Sequence, residues 1–567
     1  MQKYTPARWL LLCLCGYFLL GLHAVIPNNG GTQGDSLPWV LTGWMMLCLM
    51  VAGVWWGLPR HQALRVTSTF MWLVAASLLL TLPLLWSPHP DWQINALPRL
   101  AGLWGGVAVY FTLLQCRLSA THWRMILAAI AISTVTQALF VLTEIFFPAW
   151  VPVVSQNVMS TGLNYGVFQQ RNVTASFLAT GLIILTFLLT DARAVLVNRR
   201  VERFRVGLLA GGTLLLSATL VLLNSRVGWL GSVLALLLFS LLLWRSRTPL
   251  LLRHRAGWVL ALPVLGALLG YGLTLMKPEL GYVVHDASNS QRWLTLKASV
   301  QMLAEHPLSG WGYGGFEYAF QHWVITQNPP VLSREMMNHP HNEILFWGVE
   351  GGLVALLGLG GLIIAGIRLI ATGCTLPRLA LSLCLIPVLL HTQLEYPLYQ
   401  SLAHWLIVIL LLVNLDEGGG VADPQPASCG RKPAQLLIVL VALAGVGLTA
   451  MALRNEIVLT AFELRQLPDD SELTHLPLPW LAESRYQQDR ALLEITRFEK
   501  TNNPAALEEF VKRGRRWLQT REDADMYNNL IDVERYLGQE AQAGRDVALA
   551  ARLFPFDERF AQPGAVK

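Results

Sequence analysis

Charged side chains are scarce in this sequence. Only 14% of its 567 residues are Asp, Glu, Lys or Arg, against about 25% in an ordinary soluble domain. Apolar residues make up 54%, so neither a typical water-soluble protein nor a disordered chain fits. Cysteine is sparse too. Cys13, Cys15, Cys48, Cys116, Cys374 and Cys384 lie in or beside apolar runs, and Cys429 lies in a short polar linker. No partner pair or histidine stands at metal-ligand spacing from Cys13 and Cys15. Neither a disulfide framework nor a metal or other cofactor is expected. The paired repeats common in transporters are missing as well.

The scarcity of charge is regional. Before Leu453 there are 26 Lys and Arg with 16 Asp and Glu, about 9% of the residues; from Leu453 onward 16 basic and 20 acidic residues make about 31%. Lipid is the implied solvent of the first part and water that of the second. The net charge of +6 divides into +10 and −4 across this boundary, which describes membrane topology and argues against a nucleic-acid partner. A bilayer core of about 30 Å needs roughly 20 apolar residues per helix. Runs of that kind lie at 9–26, 37–58, 66–86, 100–116, 123–147, 173–190, 206–223, 227–244, 257–276, 343–367, 379–393, 398–415 and 434–452. They predict an all-α, polytopic membrane helix bundle with about 13 transmembrane helices. The first run follows Lys3 and Arg8 without a clear cleavage site and reads as an uncleaved signal-anchor.

With a cytoplasmic N-terminus, the cytoplasmic loops collect 19 Lys and Arg, and the short outer loops hold only Arg99, Arg171 and Arg226. That bias sets the orientation, and an odd number of spans exports the tail. The expected domains are transmembrane helices 1–9 over 1–276, a large outer loop over 277–342, transmembrane helices 10–13 over 343–452, and an outer helical domain over 453–567. Within the loop, Asn289-Ser290 reads as the capped start of an amphipathic helix that ends at His306-Pro307. A glycine-rich stretch at 310–315, an aromatic helix at 316–325 and a Pro329-Pro330 break follow. Tail segments near 481–500, 504–518, 522–537 and 540–553 carry helical periodicity. Ala541, Ala548, Ala550 and Ala551 resemble the second half of a tetratricopeptide unit, and a plain helical cap is the alternative.

Ionisable residues at a membrane boundary are costly and mark candidate sites. Arg226 interrupts two apolar runs inside Asn224-Ser225-Arg226-Val-Gly. It is either a snorkelling anchor or a guanidinium that grips a phosphate through paired donors. Gln169-Gln170-Arg171-Asn172 opens the sixth span with more hydrogen-bonding capacity than anchoring requires. Arg292 is expected in the first turn of the loop helix, where the dipole disfavours a cation and a partner anion would explain it. Asn338-His339-Pro340-His341-Asn342-Glu343 precedes the tenth span. Asn342 is a capping candidate there, and a histidine near a carboxylate is a plausible base or orienting group. The His-x-His spacing lacks a third ligand for zinc. Gly-x-Gly-Gly at 312–315 follows no strand and is no nucleotide loop. Glu350-Gly351-Gly352 reads as close helix packing.

Four patches together resemble the O-antigen ligase/polymerase superfamily of bacterial membrane glycosyltransferases. They are Gln169-Gln170-Arg171-Asn172, Asn224-Ser225-Arg226-Val-Gly, Arg292-Trp through Glu305-His306-Pro307-Leu308-Ser309-Gly310-Trp311-Gly312-Tyr313-Gly314-Gly315-Phe316, and His339-Pro340-His341-Asn342-Glu343. Leu394-Glu395-Tyr396-Pro397 and the outer tail look like the pilin-type (PglL-type) protein O-oligosaccharyltransferases. The resemblance implies an enzyme of the bacterial inner membrane, with its large loop and tail periplasmic. Its donor is a glycan on undecaprenyl pyrophosphate, its acceptor a pilin-like or other periplasmic protein hydroxyl, and transfer inverts the anomeric centre without a metal or cofactor. Arg226, Arg292 and Arg171 are the implied pyrophosphate-binding residues. His341 activates the acceptor, with His339 second; Asn342, Glu343, Glu395 and Gln170 support them. The alternatives are an O-antigen ligase acting on lipid A-core, an O-antigen polymerase, and, outside the class, a lipid-linked oligosaccharide transporter.

Overall fold

The computed structural model describes residues 5–24, 36–59, 62–150, 166–168, 170–276, 286–327, 336–371, 375–416, 431–465 and 471–560. Gln169, Cys374, Cys429 and Pro329-Pro330 lie outside them. No β-strand occurs among the described residues; Asp191 and Leu251 form an isolated bridge. The protein is an all-α, multi-pass membrane bundle, and eleven of its described helices are long and apolar enough to cross a bilayer. Two of the thirteen expected spans are shorter, Leu376–Thr392 and Leu402–Asp416. The first is two α-helical pieces joined by a 3-10 turn at Leu383–Leu385. Pro387, just beyond that turn, has no N–H to continue an α-helical ladder.

The chain divides into two compact units. The first comprises Met1–Ala75, Gly102–Val284 and Gly361–Ala450. Its centre is the helix Arg171–Thr190, buried from Val173 to Thr190. The helices Ala120–Phe146, Arg199–Leu222, Arg226–Arg245 and Ile386–Thr392 pack round it. Its small residues Ala175, Ser176, Ala179 and Gly181 suit such close approach, since association in lipid relies on van der Waals packing. At one end of this unit a buried carboxylate is fully served. Asp416 accepts hydrogen bonds from Thr67 (2.5 Å), Tyr110 (2.6 Å) and Thr69 (3.3 Å). Three segments distant in sequence are tied there.

The second unit comprises Ala76–Ala101, His285–Gly360 and Met451–Lys567. Trp92, Met302, Phe316 and Phe320 share one apolar core with Phe510, Leu530 and Leu553 of the tail. The tail helices Glu483–Thr501, Pro504–Trp517, Ala524–Tyr536 and Glu540–Leu553 pair consecutively. Polar contacts tie the tail to the start of the helix Pro90–Cys116 and to the loop. Trp92 donates to the Gln519 carbonyl at 2.7 Å, Arg516 pairs with Asp91 at 2.7 Å, and Arg521 pairs with Glu317 at 2.7 Å. Loop and tail therefore belong to one compact unit.

Candidate functional site

The polar residues of the first unit converge on Glu395. Arg171 begins the helix Arg171–Thr190, and Gln170 flanks it. From that helix start Gln170 donates to the Glu395 carboxylate at 3.0 Å and Asn172 at 2.6 Å. Ser225 in turn donates to the Asn172 side-chain oxygen at 2.7 Å. Ser225 also caps the helix Arg226–Arg245 by accepting from the Gly228 N–H. Arg226 is the first residue of that helix and is exposed, and Asn224 before it takes the left-handed φ of 50° that turns the chain. Both Arg171 and Arg226 thus stand at helix N-termini, where the dipole disfavours a cation and a nearby anion compensates.

Behind Glu395 runs a hydrogen-bonded chain into the bundle. His391 Nε2 lies 3.0 Å from Glu395, and its Nδ1 lies 2.8 Å from Ser176 Oγ. His404 Nε2 lies 2.9 Å from the same hydroxyl, and its Nδ1 lies 2.7 Å from Ser401 Oγ. His391, Ser176 and His404 are fully buried. With Glu395 ionised and both imidazoles neutral, donor and acceptor inventories allow one polarity only. Ser401 donates to His404, His404 to Ser176, Ser176 to His391, and His391 to Glu395. The carboxylate then has three side-chain donors, which offset the cost of burying it.

The histidine element lies in the second unit. Asn342 accepts from the Leu345 N–H at 3.0 Å and caps the helix Glu343–Ala371 as expected. His341 takes a left-handed backbone, φ 57°, a conformation uncommon outside glycine. Its N–H donates to His339 Nδ1 at 2.9 Å. With Nδ1 accepting, a neutral His339 carries its proton on Nε2, which faces Glu343 at 3.4 Å. His339 is buried and packs on Phe346. Burial pushes its imidazole below the usual range, opposed by Glu343. His341, by contrast, is only partly buried. Glu343 also accepts from the Trp347 indole at 2.7 Å.

The loop helix corrects one expectation. It runs Asp286–Glu305, so Asn289 and Ser290 are internal and Arg292 falls in the second turn. No helix breaker precedes Asn289 in Asp286-Ala287-Ser288, and an acidic residue suits a helix start. The dipole argument applied to Arg292 belongs instead to Arg171 and Arg226.

The glycine-rich stretch also does more than pack. Glu350, buried, accepts from Arg99 at 2.5 Å and from the Gly314 and Phe316 N–H groups at 3.1 Å each. Tyr313, Phe346 and Trp347 surround the Arg99 guanidinium at 4.3–4.7 Å. The helix Glu343–Ala371 is interrupted at Gly352, φ 62°. The Val349 and Glu350 carbonyls accept from the Trp311 and Gly312 N–H groups, and the Leu353 N–H donates to Pro307. Irregular backbone at this depth is tolerated because such partners satisfy it. Gly314 has φ 77°, and a Cβ there would lie 2.0 Å from the Trp92 carbonyl oxygen.

Comparison with known families falls on these same residues. Residues 211–360 match the family described as O-antigen ligase, which spans Arg226, Arg292, His339 and His341. Residues 165–189 match protein glycosylation ligase, spanning Gln170, Arg171, Asn172 and Ser176. Residues 379–566 match the C-terminal region of the virulence factor membrane-bound polymerase family, which includes His391, Glu395 and His404. Together the three matches make the chain similar to the O-antigen ligase/protein glycosylation ligase superfamily. No curated protein matches it. That similarity supports a glycosyltransferase-like membrane enzyme.

Glu395 and Gln170 were expected as supporting residues, whereas Ser176, His404 and Ser401 carried no expected role. They sit in apolar runs, and only helix packing brings them to His391. The i, i+4 spacing of His391 and Glu395 was the one local signal.

Proposed function

We propose that this protein is a protein O-oligosaccharyltransferase of the bacterial inner membrane. It moves a glycan from undecaprenyl pyrophosphate to Ser or Thr hydroxyls of pilin-like or other periplasmic proteins. The observation that carries the reading is the match to protein glycosylation ligase over 165–189, the segment whose Gln170 and Asn172 hold Glu395. In the reaction the acceptor oxygen attacks the anomeric carbon from the face opposite the pyrophosphate. The carbon–oxygen bond to pyrophosphate breaks with inversion, and the hydroxyl proton passes to His341. Arg226, Arg171 and Arg292 bind and neutralise the pyrophosphate as charge develops on it. His339 serves as a positioning residue, since one ring nitrogen holds the His341 backbone and the other faces Glu343. Glu395 positions Asn172 and, through Ser225, the start of the Arg226 helix. The charge bias of the loops supports a periplasmic loop and tail.

The test is transfer by purified protein in liposomes, supplied with one lipid-pyrophosphate glycan and, in parallel, a pilin-like protein or lipid A-core. Glycosylated pilin, lost in His341→Ala while circular dichroism and elution are unchanged, is the expected result. Product on lipid A-core alone would mean an O-antigen ligase. Lengthened lipid-linked glycan alone would mean a polymerase, the activity named for the family matched over 379–566.

A further inference from the structure

At the end of the first unit's helices away from Glu395, on the Asp416 side, lies a cavity of about 440 Å³. Its lining includes five arginines, Arg65, Arg117, Arg124, Arg193 and Arg378, and one carboxylate, Asp191. Asp191 is engaged by Arg193, whose Nε donates to it at 2.8 Å. The lining stays strongly positive after that pairing. Arg117 takes a left-handed φ of 47°, and the Arg65 Nε–H is buried with no hydrogen-bond partner among the described residues. The N-terminus of Ala120–Phe146 opens on the same space through Ala120 and Trp123. Apolar side chains, Leu118, Leu127, Phe187 and Leu381, complete the lining.

Positive loops are ordinary on the cytoplasmic side of a membrane protein. They explain arginines there, but not arginines gathered round a cavity with a buried unsatisfied donor and an apolar wall. Guanidiniums bind phosphate oxygens through paired N–H donors, and helix N-termini add backbone donors. Basic pockets between transmembrane helices on this side suit anionic head groups, and the volume lies within the usual range for small-molecule sites, roughly 300–1,000 Å³. We infer that this cavity binds a phosphate group, carried by an anionic membrane lipid whose chain lies along the apolar wall. The cavity shares no residue with the Glu395 cluster or the histidine element and does not depend on the proposed transferase reading.

The experiment uses full-length, delipidated protein in neutral detergent. It is titrated in separate arms with dioleoylphosphatidylglycerol, dioleoylphosphatidylcholine and inorganic phosphate, with binding read by native mass spectrometry and thermal shift. One triple variant is Arg65→Gln, Arg124→Gln, Arg378→Gln. The control triple is Arg199→Gln, Arg200→Gln, Arg247→Gln, three exposed arginines assigned to the same side by the charge bias. Saturable binding of one phosphatidylglycerol per chain, at least tenfold tighter than phosphatidylcholine and lost only in the cavity triple, is expected. Saturation by inorganic phosphate at equal affinity, lost in the same triple, keeps the phosphate site and overturns the lipid as its carrier. Equal losses in both triples, or no saturable binding in any arm, would overturn the site.

Discussion

Replacing Glu350 by Gln tests whether the glycine-rich loop is held by a single buried carboxylate. Its side chain is 1% exposed and its partner Arg99 is 8% exposed, so solvent screens the pair little. The substituted amide would keep the shape and one acceptor oxygen for the Gly314 and Phe316 N–H groups. Its NH₂ group would face the Arg99 guanidinium, which stays caged by three aromatic rings. Breaking a buried pair while leaving one charge behind costs about 3–5 kcal/mol. Where that loss opens the loop locally, amide exchange should accelerate roughly 10²- to 10³·⁵-fold. Hydrogen exchange read by mass spectrometry on peptides covering 308–317 measures it directly. Adding Arg99→Met removes the stranded charge and leaves an apolar side chain for the cage, so the double variant should exchange more slowly than Glu350→Gln alone. Acceleration below tenfold in the single variant, or a double variant as fast as the single, would refute the hub.

Three further outcomes are expected. Arg226→Lys should lower the kcat/KM of transfer by roughly 10- to 100-fold at unchanged expression, because a point charge lacks the planar fork that binds two oxygens; native-rate transfer would remove Arg226 from pyrophosphate binding. His391→Leu should destabilise the first unit by about 1–3 kcal/mol, because Glu395 loses one of its buried donors and Ser176 its acceptor in the chain. Its thermal shift should then be less than additive with that of Ser176→Ala, and additive shifts would break the proposed chain. Burial, then the nearby Glu317, raises the Glu522 carboxyl well above its usual range. The folded tail therefore holds that proton more tightly than the unfolded chain does. Its contribution is complete below about pH 4.3 and is lost as pH rises through the folded value. Exchange protection of 516–527 should fall with rising pH in the native protein relative to Glu522→Gln. His322, whose Nδ1 lies 3.2 Å from Glu522, is shifted downward by burial and acts in the opposite sense; parallel curves would contradict the assignment.

How much was legible in the sequence follows from the range of each interaction. Apolar run length and loop charge are local properties set by the bilayer, so the all-α membrane class and most span positions followed from composition alone. So did the Asn342 cap, because capping spans three residues. The proline-interrupted stretch at 376–392 kept an apolar composition yet broke its helix, since a missing N–H is invisible to hydropathy. The patches round Gln170, Arg226, Arg292 and His341 were recognisable as motifs, and the family matches cover them. Their physical roles waited on tertiary structure. Ser176, His391 and His404 are unremarkable in apolar runs until packing sets both imidazoles within 3 Å of the Ser176 hydroxyl. Glu350 and Arg99 stand 251 residues apart, and neither local periodicity nor spacing couples them. A buried polar group must find its partner wherever the fold brings one, and that search runs across the chain instead of along it.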